Sequence, residues 1–189
     1  MTSPQQPLRN VIHLATGVAA AWVLFVPAPW SLLGLVMVIL VAASLDLMRL
    51  HSGFRHSLDV LLPGVYRDNE IGRPSGATLL AAGYLLAVAL LPAEAAAGGI
   101  LALAVGDPAA SVVGRWYGKR RGLGAGKTWI GSLACFLATL PVIWLLPYFD
   151  LPAAAAAAAM AALIERRAGF LDNLLIPIGV GLLLRLWVS

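Results

Sequence analysis

Apolar residues run in long, nearly unbroken blocks along this chain, and polar residues gather in short intervals between them. A helix needs about 20 mostly apolar residues to cross a bilayer, with a range of about 17–25. On that measure the pattern predicts seven helical segments, at about residues 11–26, 30–47, 75–91, 93–117, 128–146, 151–164 and 170–188. Pro27-Ala28-Pro29 closes the first and Pro92 the third. The sixth is short and almost pure alanine. It is barely lipophilic, so it is expected inside the bundle, where small side chains let helices approach closely.

Two polar intervals are longer than turns. Residues 48–74 carry Phe54, Leu58, Leu61, Leu62 and Val65 at roughly helical spacing, interleaved with Arg55, His56 and Asp59. That pattern predicts an amphipathic helix lying on the membrane surface, either capping the bundle or helping lipids enter it. Residues 118–127 form a basic, glycine-rich loop.

Composition sharpens this picture. Of 189 residues, 60% are hydrophobic and 12% charged, and the mean hydropathy is +0.87. A soluble domain of this size needs more polar surface, so the expected fold is all-α: a polytopic membrane helical bundle, with residues 1–189 as a single embedded domain. The net charge of +4 does not point to nucleic acid, because the cations sit between apolar blocks. With the N-terminus in the cytoplasm, every Lys and Arg except Arg185 falls at the cytoplasmic face, which predicts N-in and C-out. Residues 1–10 are polar and lack the form of a cleavable leader. The expected reading is therefore an integral membrane protein with its site facing the cytoplasm, in the plasma (inner) membrane if the source is prokaryotic. The one cysteine, Cys135, lies in an apolar run and is expected to be a buried small residue.

Candidate chemistry concentrates around 93–117. Asp107 sits inside this apolar block, where a carboxylate costs roughly 2.5–3.5 kcal/mol or more, so a function is the default reading. Asp107, Ser111, Gly114 and Gly118 are spaced by four, three and four, which places them on one helix face. The two glycines leave room for a ligand or another helix. Pro108 removes a backbone hydrogen bond and frees a carbonyl. Arg115, Lys119, Arg120 and Arg121 follow. Gly126-Lys127-Thr128 imitates a Walker A ending, but the required first glycine is Arg121. Backbone N–H groups between glycines, with Lys119 and Lys127, still make a reasonable phosphate cradle. Glu165, Asp172 and Asn173 flank the turn before the last block. Oxygen donors of this type suit Mg²⁺, which binds through one or two carboxylates plus substrate phosphates. The structural alternatives are a salt bridge from Glu165 to Arg166 or Arg167, and a helix cap at Asp172. Glu70 with Arg73 and Asp46 with Arg49 are weaker candidates, as readily solvated interfacial pairs as functional groups, and His13, after Arg9 and Asn10, is more readily a satisfied bundle residue than a catalyst.

The run Gly106-Asp107-Pro108-Ala109-Ala110-Ser111-Val112-Val113-Gly114-Arg115, then Gly118-Lys119, then Gly126-Lys127-Thr128-Trp129-Ile130-Gly131-Ser132, resembles the signature of the CTP-dependent lipid-alcohol kinases. These include dolichol, phytol and farnesol kinases and a CTP-using diacylglycerol kinase, and they are related to the phosphatidate cytidylyltransferases. Glu165, Asp172-Asn173 and Pro177, Arg9-Asn10 and His13, and Glu70, Arg73 and Gly76 also look like family features. The resemblance implies Mg²⁺-dependent transfer of the γ-phosphate of CTP to a membrane lipid alcohol. CTP would arrive from the cytoplasm and the alcohol from the bilayer. It implies that Asp107 binds Mg²⁺ or takes the hydroxyl proton, and that Asp172 or Glu165 fills the other role. Ser111, Gly114, Arg115, Gly118, Lys119, Lys127, Gly131, Ser132 and Asn173 would surround the nucleotide. Two alternatives stand beside it: a cytidylyltransferase making a CDP-lipid, and a small non-enzymatic transporter with an intramembrane acid. Which alcohol is used depends on pocket length, which helix composition does not encode.

Overall fold

The computed structural model describes residues 6–50, 72–117 and 127–188. Within them the chain is all-helical, with no strand. The α-helices are α1 Gln6–Thr16, α2 Val18–Phe25, α3 Ala28–Leu50, α4 Gly76–Leu90, α5 Ala93–Tyr117, α6 Trp129–Trp144, α7 Leu151–Arg167 and α8 Asp172–Leu184. Short 3-10 turns, Gly169–Leu171 and Arg185–Trp187, flank α8. Three stretches are long and apolar enough to cross a membrane: α3, α5 and Gly169–Trp187. The proposed surface helix within 48–74 falls almost wholly outside the described residues, Glu70 included, as do Gly118 and Lys119 in the basic loop.

Every apolar block became helix, with informative differences at the ends. The first block is two helices, because hydrogen bonding tightens at Gly17. A Cβ there would come within 3.3 Å of the Ala104 Cβ, so glycine lets this strut lie against α5. The second block starts at Ala28 rather than Trp30. Pro29 sits in the first turn, where its missing N–H has no helical partner to lose. It also runs on to Leu50, which carries Arg49 inside the helix. The sixth block extends to Arg167, so Arg166 and Arg167 stand in its last turn, where cations complement the helix dipole. Helix α5 continues through Pro108 without a break.

Helix α5 is the hub. It packs against α1, α2, α4, α6, α7 and α8, and most of its alanine and glycine positions are buried. The close approaches follow from absent side chains. A Cβ on Gly99 would strike the Pro177 carbonyl of α8, and one on Gly131 would lie 2.9 Å from the Ala110 carbonyl of α5. Helix α7 packs inside, as its composition predicts: Ala153, Ala154, Ala157, Ala158 and Ala161 are fully buried. Helix α3 lies at the edge, with only 17% of its apolar window buried against 67% for α5. Its exposed face carries Leu33, Met37, Val38, Leu40 and Val41, a surface compatible with lipid contact.

Candidate functional site

The end of α3, the starts of α4, α6 and α8 and the end of α7 meet at one end of the bundle, and buried polar groups collect there. Lys127, just before α6, is the centre. Its Nζ donates to Asp172 Oδ2 at 2.7 Å and pairs with Glu165 Oε1 at 3.1 Å. It also donates to the Glu165 backbone carbonyl. Ser132, one turn into α6, donates its hydroxyl to Glu165 Oε2 at 3.1 Å. Both carboxylates are buried, Glu165 at 5% and Asp172 at 3% exposure. The structural alternative for Glu165 was a salt bridge to Arg166 or Arg167; the structure pairs it with Lys127 and Ser132 instead. Asp172 opens α8 rather than capping it, and its Oδ1 accepts the Asn173 backbone N–H at 2.8 Å.

These side chains meet because of their helix positions. Thr128 caps α6 by accepting the Gly131 N–H, which directs the chain so that Lys127 points back across the bundle. Gly169 turns with φ +61, a backbone state in which a Cβ is strained. This turn brings the start of α8 beside the end of α7.

Burial by itself would lower the Lys127 pKa. The charges of Asp172 and Glu165 outweigh it, with a smaller contribution from Asp107, so the ammonium is held above its ordinary range. Asp107 thus acts on the same site. It is 7% exposed, on α5, and His13 Nδ1 of α1 lies 3.6 Å from its Oδ2. His13 belongs to a further polar chain that the sequence did not reveal. Thr16 donates its hydroxyl to the His13 carbonyl at 2.6 Å, and the Tyr84 hydroxyl of α4 lies 2.8 Å from Thr16 Oγ1. With the Thr16 proton committed, Tyr84 is the donor in that pair. The sequence signal was limited to His13 and Thr16 in the first block and Tyr84 in the third.

The remaining candidates divide by role. Ser111 accepts from Arg115 Nη1 at 2.6 Å on the exposed end of α5. Gly114 and Gly131 lie against each other, and a Cβ on Gly114 would stand 3.0 Å from Thr128 Oγ1; the bare face of α5 here receives α6. Arg49 and Arg73 belong to a clamp. Asp46 Oδ2 accepts the Ser75 N–H and the Thr78 hydroxyl, both at 2.7 Å. Arg49 pairs with Asp46 at 3.3 Å and donates to the Arg73 carbonyl at 2.6 Å. This ties α3 to the start of α4, and Arg73 stacks on Phe170. Asn173 ties α8 to the same place, donating its Nδ2 to the Gly76 carbonyl at 2.9 Å. That bond fixes the amide, and the buried Oδ1 has no hydrogen-bond partner among the described residues. Cys135 is fully buried, as expected. A hollow of about 360 Å³ at the far end of the bundle is lined by apolar side chains and Ser31, whose hydroxyl is committed to the Ala28 carbonyl.

The arrangement offers a basic group held between two acids, a third acid backed by a histidine, and an unused amide oxygen. It is suited to binding multiply charged, oxygen-rich ligands and to moving a proton. No protein-family model, no curated protein and no solved structure matches this chain.

Proposed function

We propose that this chain is an integral membrane enzyme with seven spans, N-in and C-out, that transfers the γ-phosphate of CTP to the hydroxyl of a membrane lipid alcohol. The observation that carries the reading is the Lys127 ammonium seated between Glu165 and Asp172, on the site that also feels Asp107. The resemblance of residues 106–132 to the lipid-alcohol kinases supplies the reaction and the nucleotide.

A divalent cation fits this donor set. All the candidate ligands are hard oxygens, and Asn173 Oδ1 is a buried acceptor without a partner. Two buried carboxylates, Glu165 and Asp172, share the Lys127 ammonium, and a further buried carboxylate, Asp107, lies beside His13. Among the described residues no three acid, histidine or cysteine side chains close into a metal cage. Mg²⁺ takes one or two carboxylates and completes its shell with phosphate oxygens and water. Asp172 and Asn173 would hold it, and it would neutralise charge on the transferring phosphate.

Phosphoryl transfer asks the protein mainly for position and charge balance. The triphosphate lies at the cationic end of the bundle, with Lys127 as its principal cation. The alcohol enters laterally, with its hydroxyl toward Asp107. The alcohol oxygen bonds to the γ-phosphorus, the bond to the β-phosphate oxygen breaks, and CDP leaves. Of the two roles open to Asp107, its contact with His13 favours proton acceptor. Ser132 holds Glu165 in place and Glu165 holds Lys127.

The test is purified protein incubated with labelled CTP or ATP, Mg²⁺ and a panel of prenols, polyprenols and diacylglycerol. The expected products are a phosphorylated alcohol and CDP. Asp107→Asn is expected to remain folded and to lose turnover. Turnover retained in that variant refutes the assignment, and release of pyrophosphate identifies a cytidylyltransferase instead.

A further inference from the structure

Trp129 opens α6 two residues after Lys127 and is 71% exposed. The Arg166 guanidinium lies over its ring, 3.3 Å from the centroid. Arg166 follows Glu165 in the chain and Trp129 stands two residues after Lys127, so the stack belongs to the same end of α6 and α7 as the Lys127 site. One terminal nitrogen of Arg166, Nη1, is buried without a hydrogen-bond partner among the described residues. An indole at a helix end is commonly an interfacial anchor. An anchor has no need of a guanidinium covering one ring face, and that guanidinium here spends a buried donor to do so. The cover fixes the indole plane, and the high exposure leaves the rest of the ring accessible.

We propose that Trp129, backed by Arg166, is the stacking platform for the base of the nucleotide whose phosphates meet Lys127. This rests on the reading of the site as a nucleotide site and adds where the base lies. The ring supplies a flat, polarisable surface, and the arginine supplies rigidity and a cation on the far side. Every base has a π-face, so stacking gives affinity with little selectivity. The platform therefore strengthens CTP and ATP binding by the same factor, and preference between them is set elsewhere.

The experiment measures equilibrium binding of CTP, ATP and inorganic tripolyphosphate, each with Mg²⁺, to the full chain in nanodiscs. Wild type, Trp129→Ala, Trp129→Phe and Lys127→Met are compared. Trp129→Ala is expected to weaken CTP and ATP about tenfold or more, the scale of losing one aromatic–base stack. It should leave tripolyphosphate unchanged, and Trp129→Phe should recover most of the loss. Lys127→Met should weaken all three. Equal binding of CTP by wild type and Trp129→Ala overturns the platform and leaves the indole as an anchor. A wild type that binds none of the three ligands overturns the nucleotide reading itself. Misfolding is separated by requiring each variant to keep a single cooperative melt, with binding measured below its own midpoint.

Discussion

Lys127 balances two carboxylates of the interior. Its ammonium satisfies two buried carboxylates and a carbonyl at once. Breaking a buried pair by removing one partner costs about 3–5 kcal/mol, because the remaining charge is left uncompensated. Lys127 keeps some contact with water, so Lys127→Met is expected at or below the lower end of that range, read as a lower melting temperature in detergent. The pH dependence follows from the sign of the shift. The folded-state pKa lies above the ordinary value of 10.5, so this stabilisation is complete below that value and is lost as pH rises through the raised one. The melting gap between wild type and Lys127→Met should be constant across neutral pH and close only under strongly alkaline conditions. A gap that closes near neutrality would show that the ammonium is not held by these acids. That an acid in 93–117 and the acids near 165–172 matter was legible from the sequence, since carboxylates in apolar blocks demand partners. That Lys127 is the partner was not, because 38 and 45 residues separate it from Glu165 and Asp172.

At the scale of elements, small residues decide the packing and polar clamps decide the joints. Gly99 meets the Pro177 carbonyl of α8, a backbone atom that cannot rotate away. Gly99→Ala should therefore force α5 and α8 apart and cost about 1–3 kcal/mol, the usual range for overpacking. A differential melt checks it, with Gly72→Ala as the contrast for space alone: nothing lies within 4 Å of a Cβ there, although its φ of +73 disfavours any side chain. The Asp46 clamp is a second test. Asp46→Ala removes the acceptor for the Ser75 N–H and Thr78 hydroxyl and leaves Arg49 without its ion pair to Asp46. Leaving such groups unpaired costs about 1–3 kcal/mol each, so the variant should be destabilised while nucleotide affinity in the surviving folded fraction is unchanged. Loss of affinity at full stability would move Asp46 into the binding site. From the sequence, Asp46 with Arg49 was as readily a solvated interfacial pair as a functional one. The structure buries it at 5% and 7% exposure, because α3 extends three residues further and brings α4 against the pair.

For the whole molecule, the described cations gather at one end except Arg185, so the proposed orientation is open to direct test. With Cys135 replaced by Ala, a cysteine at position 67 should react with an impermeant thiol reagent only from the cytoplasmic side. One at position 148 should react only from the other side. Both labelling from the same side would reject the seven-span arrangement. The helical class, the apolar blocks and the acids that need explanation are written in the order of residues, since these depend on local periodicity and on the cost of charge in an apolar setting. Which groups meet emerges from the packed bundle alone: Lys127 with Glu165 and Asp172, His13 with Asp107, Tyr84 with Thr16, and Arg166 with Trp129. Such pairs depend on helix rotation and register, which are set by where glycine and alanine permit backbones to touch. That information is spread over several helices at once, and no single stretch of the chain contains it.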